Sequence, residues 1–162
     1  MRNDLAELEM NSKLGLIYIQ ASPVGLKNLF FTKPALKAAN SNQTALKIVQ
    51  QTEMQLSEYL KGQRKKFDLP LDLYGTEFQK KVWNQLLQIP YGQTASYKDI
   101  AFNLSDANAS RAVGTANGKN PICIIVPCHR IITSSGQLGG YSGGLHRKKQ
   151  LLNIEGLDLW KN

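Results

Sequence analysis

The stretch NPICIIVPCHRII, residues 120–132, places a cysteine directly before a histidine at the end of an apolar run. A thiol is the softest nucleophile among protein side chains, and its reactive form is the thiolate. An ordinary thiol, with a pKa of about 8.5, is only slightly ionised at neutral pH. A reactive Cys128 therefore needs a base or a cation nearby, and His129 is the first candidate for that base.

The apolar run before Cys128 predicts a buried strand, in which neighbouring side chains point to opposite faces. A link between Cys128 and His129 therefore requires a bridging water or a bend at Pro127. A catalytic histidine also needs a third group that orients it. Glu155 is the candidate, because it is the only carboxylate within residues 107–157. The spacing of these residues alone does not exclude the alternative that Cys128 is a buried structural cysteine.

A disulfide and a metal site are the rival uses of the thiols. In an extended strand Cys123 and Cys128 lie on opposite faces and about 16 Å apart. A disulfide requires Cα atoms within roughly 7 Å, so we predict that Cys123 is a small core residue. Zinc is also disfavoured, because the chain has no Cys-x2–4-Cys spacing and residues 1–122 contain neither Cys nor His.

The chain of 162 residues carries 20 Lys and Arg against 12 Asp and Glu, a formal net charge of +8. This excess favours a nucleic-acid partner over an acidic membrane surface. No apolar run approaches the roughly 20 residues of a membrane helix, and the first residues lack the apolar core of a secretion signal. Two cysteines in a sequence without a recognisable secretion signal favour free thiols in a reducing compartment. We expect a cytoplasmic monomer that does not bind membranes.

The spacing of apolar residues predicts the N-terminal elements. Two apolar runs flank SPVG at 22–25 and predict a hairpin. Apolar residues recur at helical spacing over 43–61, and Gly62 stands where a helix commonly terminates. The stretch 65–76 contains proline and glycine and indicates a linker. We place a domain boundary in it, near residue 72.

The C-terminal half is predicted to be helical. Thr76 is a predicted N-cap for a helix with its apolar residues on one face. Residues 94–104 and about 109–117 predict two further short helices, whose connection resembles a helix-turn-helix. The second contains several small residues, among them Ala112 and Gly114. Small side chains let a backbone approach the minor groove, which is about 6 Å wide, although they also suit packing of helix on helix.

These motifs together resemble one known family. PCHRII, preceded by RAVGTANGKNP and followed by GGYSGGLHRKKQLLNIEG, is similar to the O6-alkylguanine-DNA alkyltransferases, the methylated-DNA–protein-cysteine methyltransferases. FQKKVWNQLLQIPYGQTASYKDIA resembles the helical domain of that family, and QLSEYLKGQRKKFDLPL resembles the end of its N-terminal domain. A non-catalytic branch of the family has tryptophan in place of the cysteine, so Cys128 favours a working transferase.

The resemblance implies an α+β fold of two domains. Residues 1–72 would form a ribonuclease H-like α/β domain with an antiparallel sheet, and residues 73–162 a mostly helical winged helix-turn-helix domain. The implied function is DNA repair, in which the protein binds double-stranded DNA in the minor groove and flips the damaged nucleotide. The alkyl group of O6-alkylguanine, and also of O4-alkylthymine, would pass directly and irreversibly to Cys128, once per protein molecule. Neither a metal nor a cofactor is expected.

The resemblance also implies catalytic roles at matching positions. Cys128 would accept the alkyl group, His129 would activate it through a water, and Glu155 would hold the histidine. Asn120 would brace the turn between the recognition helix and the active-site strand. Tyr97 would hydrogen-bond the flipped guanine and assist its departure.

Further positions are implied to contact the DNA and the base. Arg111 would enter the base stack in place of the extruded nucleotide. The remaining DNA contacts are expected at Ala112, Gly114, Tyr97 and Arg130. The base pocket is expected to be lined by Tyr141, Ser142, Gly143 and Val126.

The residues alone, without the family resemblance, are also compatible with two other functions. A DNA-binding regulator would need only the helix-turn-helix and the positive charge, and Cys128 would be idle in it. A cysteine hydrolase would turn over many times and would need an oxyanion hole. Stoichiometry separates the hydrolase from a protein that acts once.

Overall fold

The computed structural model describes residues 3–158 and 160. These residues separate into two compact units between Tyr74 and Gly75. Among them, every helix is too short or too polar to cross a membrane. The architecture is the α+β fold of two domains predicted above.

The N-terminal unit is a three-stranded antiparallel sheet with one helix packed on it. The strands β1 (Ala6–Ser12), β2 (Gly15–Ala21) and β3 (Leu26–Phe30) pair in chain order. The predicted hairpin at 22–25 is confirmed as the connection between β2 and β3. Strand β1 is not among the elements predicted above, although its alternation of Ala6, Leu8 and Met10 with polar residues is typical of a half-buried strand.

Helix α1 (Gln43–Leu60) confirms the helix predicted over 43–61. The side-chain oxygen of Asn42 accepts a hydrogen bond from the backbone N–H of Ala45 at 3.0 Å and so satisfies a donor of the first turn. Just beyond the helix, Gly62 has φ +75°, the left-handed conformation that glycine adopts without strain. The buried face of α1 packs on all three strands.

The C-terminal unit consists mainly of short helices. In chain order it contains α2 (Glu77–Leu86), β4 (Ala95–Ser96), α3 (Tyr97–Asn103), α4 (Ser110–Gly118), a 3₁₀ turn (Cys128–Arg130), β5 (Ile131–Ile132) and α5 (Leu145–Ile154). Strands β4 and β5 pair in parallel. The indole N–H of the buried Trp83 donates to the carbonyl oxygen of Ala116 at 2.9 Å, which fixes α2 against α4.

Capping residues set where these helices begin. Thr76 caps α2 as predicted, and Gln79 completes the reciprocal capping box. Helix α3 begins at Tyr97 rather than at residue 94, because Ser96 and Asp99 form a second capping box there. Tyr97 is therefore the first residue of the helix that precedes α4 in the helix-turn-helix.

The prediction of a strand before Cys128 is wrong. Residues 123–126 form a turn followed by a bend instead, and the backbone N–H of Val126 donates to the carbonyl oxygen of Ile122 at 3.0 Å. Ile124 has φ +74°, a left-handed conformation that β-branched residues rarely adopt. The segment therefore folds back on itself rather than extending across a sheet.

The amide of Asn120 holds this turn closed. Its Nδ2 donates to the carbonyl oxygen of Val126 at 2.8 Å, and its Oδ1 accepts from the backbone N–H of Ile122 at 2.9 Å. Because the turn reverses the chain, Cys123 and Cys128 lie close enough that the ionisation of each thiol affects the pKa of the other. The expected separation of about 16 Å, which assumed an extended strand, is wrong as well.

We predict that Gly25→Ala strongly destabilises the N-terminal unit. An added Cβ would lie 2.7 Å from the carbonyl carbon of Leu71 and 2.8 Å from that of Pro70. The backbone cannot retreat easily, because the N–H of Leu26 donates to the carbonyl oxygen of Pro70 at 2.8 Å. We expect a loss of about 3 kcal/mol in the free energy of unfolding, measured by urea denaturation.

The matched control for this variant is Val24→Ala. The side chain of Val24 is 68% exposed, so its truncation should change the free energy of unfolding by less than about 0.5 kcal/mol. A Gly25→Ala unfolding curve that overlays the wild-type curve would contradict the close approach described above.

Candidate active site

The chain bends at Pro127 and enters the 3₁₀ turn that carries Cys128, His129 and Arg130. Pro127 has φ −82° and ψ 65°, and the backbone N–H of Cys128 donates to the carbonyl oxygen of Val126 at 2.8 Å. All three side chains of the turn are buried. The bend at Pro127, one of the two means considered above for bringing Cys128 and His129 together, is present and carries both residues into one 3₁₀ turn.

Glu155, the residue that ends α5, receives hydrogen bonds from two side chains of this turn. Its Oε2 lies 2.7 Å from Nε2 of His129. Arg130 donates through Nε to Oε1 at 2.8 Å and through Nη2 to Oε2 at 3.1 Å. The backbone N–H of Gly92 also donates to Oε1 at 3.0 Å. The carboxylate therefore joins the end of α5 to the 3₁₀ turn and to the loop after α2.

These contacts set the protonation states of the pair. Burial disfavours the ionised form of Glu155, but the hydrogen bonds from His129 and Arg130 and the positive charge of Arg130 oppose this, and the pKa of Glu155 is lowered to about 2. Burial lowers the pKa of His129, although Glu155 opposes the shift. The imidazole is therefore neutral at pH 7, donates through Nε2 to Glu155, and presents Nδ1 as its basic nitrogen.

The Cys128 sulfur lies among polar groups. Its pKa is lowered by a hydrogen bond from the side chain of Cys123, by the side chain of Asn120 and by the positive charge of Lys148, while burial opposes ionisation. A buried thiol among apolar side chains would have a raised pKa instead. The surroundings of Cys128 therefore favour the thiolate, which is the form that attacks.

Lys148 is a functional residue that the sequence reasoning missed. It is fully buried in α5, and its Nζ donates to the carbonyl oxygens of Ile131, Leu138 and Gly140 at 2.6, 2.5 and 3.0 Å. Burial lowers its pKa to about 8, and the charge of Cys128 opposes that shift. The helical spacing of the sequence indicates that Lys148 is buried, because position 148 lies on the same face of α5 as the apolar positions 151 and 152.

Tyr97 lies where α3, α4 and the loop before α5 converge. A Cβ added at Gly114 would be 3.6 Å from the Tyr97 ring, and one added at Gly139 would be 3.1 Å from its hydroxyl oxygen. The backbone of Gly140 hydrogen-bonds to that hydroxyl. Burial and the negative charge of Cys128 together raise the pKa of Tyr97, so its hydroxyl stays protonated and can donate.

Helix α4 presents Arg111 and Ala112 on its exposed face. Its opposite face, which includes Val113 and Ala116, is buried against α2 and α3. Gly114 lies between the two faces and contacts Tyr97. Arg111 therefore does not join the cluster around Cys128, and its side chain is available to a partner that docks on α4.

The four residues expected to line the base pocket lie in different environments. Tyr141 and Ser142 lie near the thiol of Cys123, and both lower the pKa of that thiol. Gly143 is buried, and its carbonyl oxygen accepts a hydrogen bond from Arg147 at 3.0 Å. Val126 is fully buried and contributes through the backbone of its turn.

The expectation that Arg130 contacts DNA is wrong. Its side chain is only 7% exposed, binds Glu155 and donates through Nη1 to the carbonyl oxygen of Ile89 at 2.8 Å. A buried carboxylate needs a counter-charge, and Arg130 supplies it. Within the part of the chain that the structure describes, no cluster of His, Cys, Asp and Glu could hold a metal ion.

Two family models match the chain. The ribonuclease-like domain of 6-O-methylguanine DNA methyltransferase matches residues 8–73. The DNA binding domain of 6-O-methylguanine DNA methyltransferase matches residues 77–157. The matches together cover the sheet with α1 and the helical unit that carries the site.

Curated relatives and solved structures are similar over most of the chain. A Methanosarcina acetivorans protein named methylated-DNA--protein-cysteine methyltransferase is 45% identical over 90% of this chain and 94% of its own length. A Mycobacterium bovis protein of the same name is 56% identical over 101 residues, and the match spans only 61% of that relative. A crystal structure of Mycobacterium tuberculosis OGT in complex with DNA superposes with a TM-score of 0.81 at 42% identity, covering 91% of this chain and 90% of the other.

We predict that Glu155→Gln destabilises the protein in a pH-dependent way. The variant leaves Arg130 buried without its counter-charge, so we expect a loss of about 3 to 5 kcal/mol at pH 7. Because the pKa of Glu155 is lowered from 4.5 to about 2, its stabilising contribution is complete above about pH 4.5 and declines as the pH falls toward 2. Urea unfolding of both proteins from pH 7 to pH 2 measures the difference.

The control for Glu155→Gln is Glu9→Gln, which neutralises an exposed carboxylate. We expect its unfolding free energy to follow the wild-type value across the same pH range. A Glu155→Gln deficit that stays constant from pH 7 to pH 2 would contradict the ionised, hydrogen-bonded carboxylate.

We predict that Lys148→Met slows the reaction of Cys128 and destabilises the loop before α5. The methionine keeps the length of the side chain but removes the charge and leaves three carbonyl oxygens without their donor. We expect a loss of about 3 kcal/mol in unfolding free energy and slower alkylation of Cys128 by iodoacetamide at pH 7. Lys149→Met, a neutralisation at the next, partly exposed position, is the control and should change neither quantity appreciably.

Proposed function

Because the chain belongs to the 6-O-methylguanine DNA methyltransferase family, we propose that it repairs DNA by transferring the alkyl group of O6-alkylguanine to Cys128. The observation that carries the proposal is the buried 3₁₀ turn that places Cys128 next to His129, whose Nε2 lies 2.7 Å from Oε2 of Glu155. The pKa of the Cys128 thiol is lowered by Cys123, Asn120 and the charge of Lys148, which favours the reactive thiolate. The relatives' names support alkylated DNA as the substrate.

The reaction is a displacement at a saturated carbon. The Cys128 thiolate attacks the alkyl carbon, a C–S bond forms, and the bond between that carbon and O6 breaks with its electron pair going to the guanine oxygen. The proton that leaves the thiol passes through a water to Nδ1 of His129, and Tyr97 donates a hydrogen bond to the departing base. The products are unmodified guanine and a thioether. Water does not cleave a thioether, so each protein molecule acts once.

The residues around His129 keep it ready for this proton transfer. Nε2 is engaged by Glu155, which fixes the orientation of the ring. Arg130 balances the charge of the carboxylate, so the imidazole can remain neutral until it receives the proton from Cys128. Asn120 contributes by holding the turn that positions Cys128.

We propose that DNA docks on the exposed face of α4. Arg111 and Ala112 lie on that face, and Gly114 permits close contact of the backbone with Tyr97. The base must leave the stack to reach Cys128, at a cost of a few kcal/mol. Insertion of Arg111 into the vacated position and contacts of the basic chain with phosphates offset that cost.

The flipped base is proposed to enter between Tyr97 and the loop that carries Tyr141, Ser142 and Gly143, with the Val126 turn as the floor. O6-alkylguanine is the main substrate, and O4-alkylthymine is a second one. The solved OGT structure in complex with DNA supports DNA as the partner. We further propose that the protein is a monomer in the cytoplasm, where free thiols such as Cys128 stay reduced.

The test is incubation with duplex DNA that carries one O6-methylguanine, followed by intact mass measurement. We expect a gain of one methyl group per protein molecule, located on Cys128, and an equal amount of repaired guanine. Cys128→Ala should bind the duplex with unchanged affinity and transfer nothing. A duplex carrying O4-methylthymine tests the second substrate in the same way.

Two outcomes would overturn this function. Repaired base that exceeds one equivalent per protein would show a multiple-turnover hydrolase. Tight binding of the duplex without any gain in mass on the wild-type protein would show a DNA-binding protein in which Cys128 is idle.

A further inference from the structure

The amide of Asn117 is a buried polar group to which the reaction proposed above assigns no role. Asn117 stands near the C-terminal end of α4 and is only 5% exposed. Its Oδ1 is buried, and no residue that the structure describes donates a hydrogen bond to it. A buried amide oxygen without a donor destabilises the fold, so native proteins rarely retain one unless a ligand or a water completes it.

The geometry of α4 directs this amide toward Tyr97. Residues three or four positions apart are neighbours on a helix, so Asn117 follows Gly114 and Val113 by one turn. Side chains of a helix lean toward its N-terminus, which directs the side chain at 117 back over that turn. The Tyr97 ring packs there, because a Cβ added at Gly114 would lie 3.6 Å from the ring. The amide therefore approaches the phenol that we propose contacts the base.

The backbone of Asn117 connects the same end of α4 to the turn before Cys128. The N–H of Asn120 donates to the carbonyl oxygen of Asn117 at 3.3 Å. Nδ2 of Asn120 donates in turn to the carbonyl oxygen of Val126, two residues before Cys128. The buried amide thus belongs to an element that borders Tyr97 on one side and the Cys128 turn on the other, which are two parts of the proposed base site.

We propose that Asn117 determines the base specificity of this site, in that its Oδ1 accepts a hydrogen bond from the exocyclic 2-amino group of the flipped O6-alkylguanine. The inference rests on the proposed function and deepens it, because it assigns the protein group that distinguishes the two alkylated bases. An oxygen that lacks a protein donor gains one when the substrate enters, and the amino group of the substrate keeps a partner after it leaves the duplex.

The two alkylated bases differ in the hydrogen-bond donors that they offer. Alkylation at O6 removes the proton from N1 of guanine, so the 2-amino group is the remaining donor of that base. Alkylation at O4 likewise removes the proton from N3 of thymine, and that base retains acceptors alone. The Oδ1 of Asn117 is therefore satisfied by O6-alkylguanine and left unpaired by O4-alkylthymine. A site whose buried polar groups are left unpaired discriminates against the substrate that leaves them so.

The experiment combines one substitution in the protein with one deletion in the substrate. Asn117→Leu keeps the approximate size and shape of the side chain and removes its polar atoms. O6-methylhypoxanthine is O6-methylguanine without the 2-amino group. We would measure single-turnover methyl transfer from duplexes that carry O6-methylguanine, O6-methylhypoxanthine or O4-methylthymine. Asn153→Leu, the same exchange at an exposed position of α5, is the matched control.

We expect Asn117→Leu to lower the ratio of the rate on O6-methylguanine to the rate on O6-methylhypoxanthine about tenfold, which is the effect of one hydrogen bond in a buried site. The loss should fall on O6-methylguanine, while the rates on the other two substrates stay near their wild-type values. Asn153→Leu should keep the wild-type ratio. Any difference in the cost of flipping the two purines is the same for both proteins, so it cancels when their ratios are compared.

Binding gives a second readout that does not require transfer. In the Cys128→Ala background, we would measure the affinity for the O6-methylguanine and O6-methylhypoxanthine duplexes with and without Asn117→Leu. The preference for the duplex with the 2-amino group should be present with asparagine and lost with leucine. Thermal unfolding identifies a variant that does not fold, and Asn117→Ala carries the test if the leucine variant fails.

The inference is overturned if the rate ratio of Asn117→Leu equals the wild-type ratio. It is also overturned if the variant slows transfer from all three substrates by a common factor, because a structural role of the amide would then explain the effect. Active transfer with an unchanged ratio retains the repair function and rejects the role of Asn117. Absence of transfer in every protein, with an affinity preference that depends on Asn117, rejects the repair function and retains that role. Absence of both rejects both.

Discussion

The buried carboxylate of Glu155 is the interaction on which the site depends. Taking an isolated charge out of water costs several kcal/mol, and the protein offsets that cost with Arg130, His129 and a backbone N–H donor. The same hydrogen bonds fix the tautomer of the histidine and tie the end of α5 to the turn that carries Cys128. Folding of the helical unit and orientation of the His129 ring are therefore parts of one network.

A second constraint acts on the sulfur of Cys128. A flipped base that enters the proposed site would exclude water, and exclusion of water disfavours the thiolate form of Cys128. The structure resolves this conflict by supplying polar groups from three directions: the amide of Asn120, the ammonium of Lys148 and the thiol of Cys123. Because these groups are fixed by the fold, little rearrangement is needed when the charge develops.

Local patterns predicted much of the fold, because their determinants are close in sequence. The hairpin at 22–25, helix α1 and the Thr76 cap depend on neighbouring residues. The segment before Cys128 is different. Its apolar, β-branched residues favour a strand, but the two hydrogen bonds of Asn120 and the packing around Ile124 impose a turn with a left-handed residue. The resemblance likewise implied a DNA contact for Arg130, although its partner Glu155 lies 25 positions away.

The position of Glu155 at the end of α5 has a consequence for shortened forms of the protein. A chain terminated after Ile154 would still contain Cys128, His129 and every helix of the helix-turn-helix. It would nevertheless retain a buried guanidinium with nothing to neutralise it and an imidazole with no fixed orientation. Premature termination at the end of α5 should therefore abolish folding and the proposed repair together, even though Cys128 and the exposed face of α4 are encoded upstream.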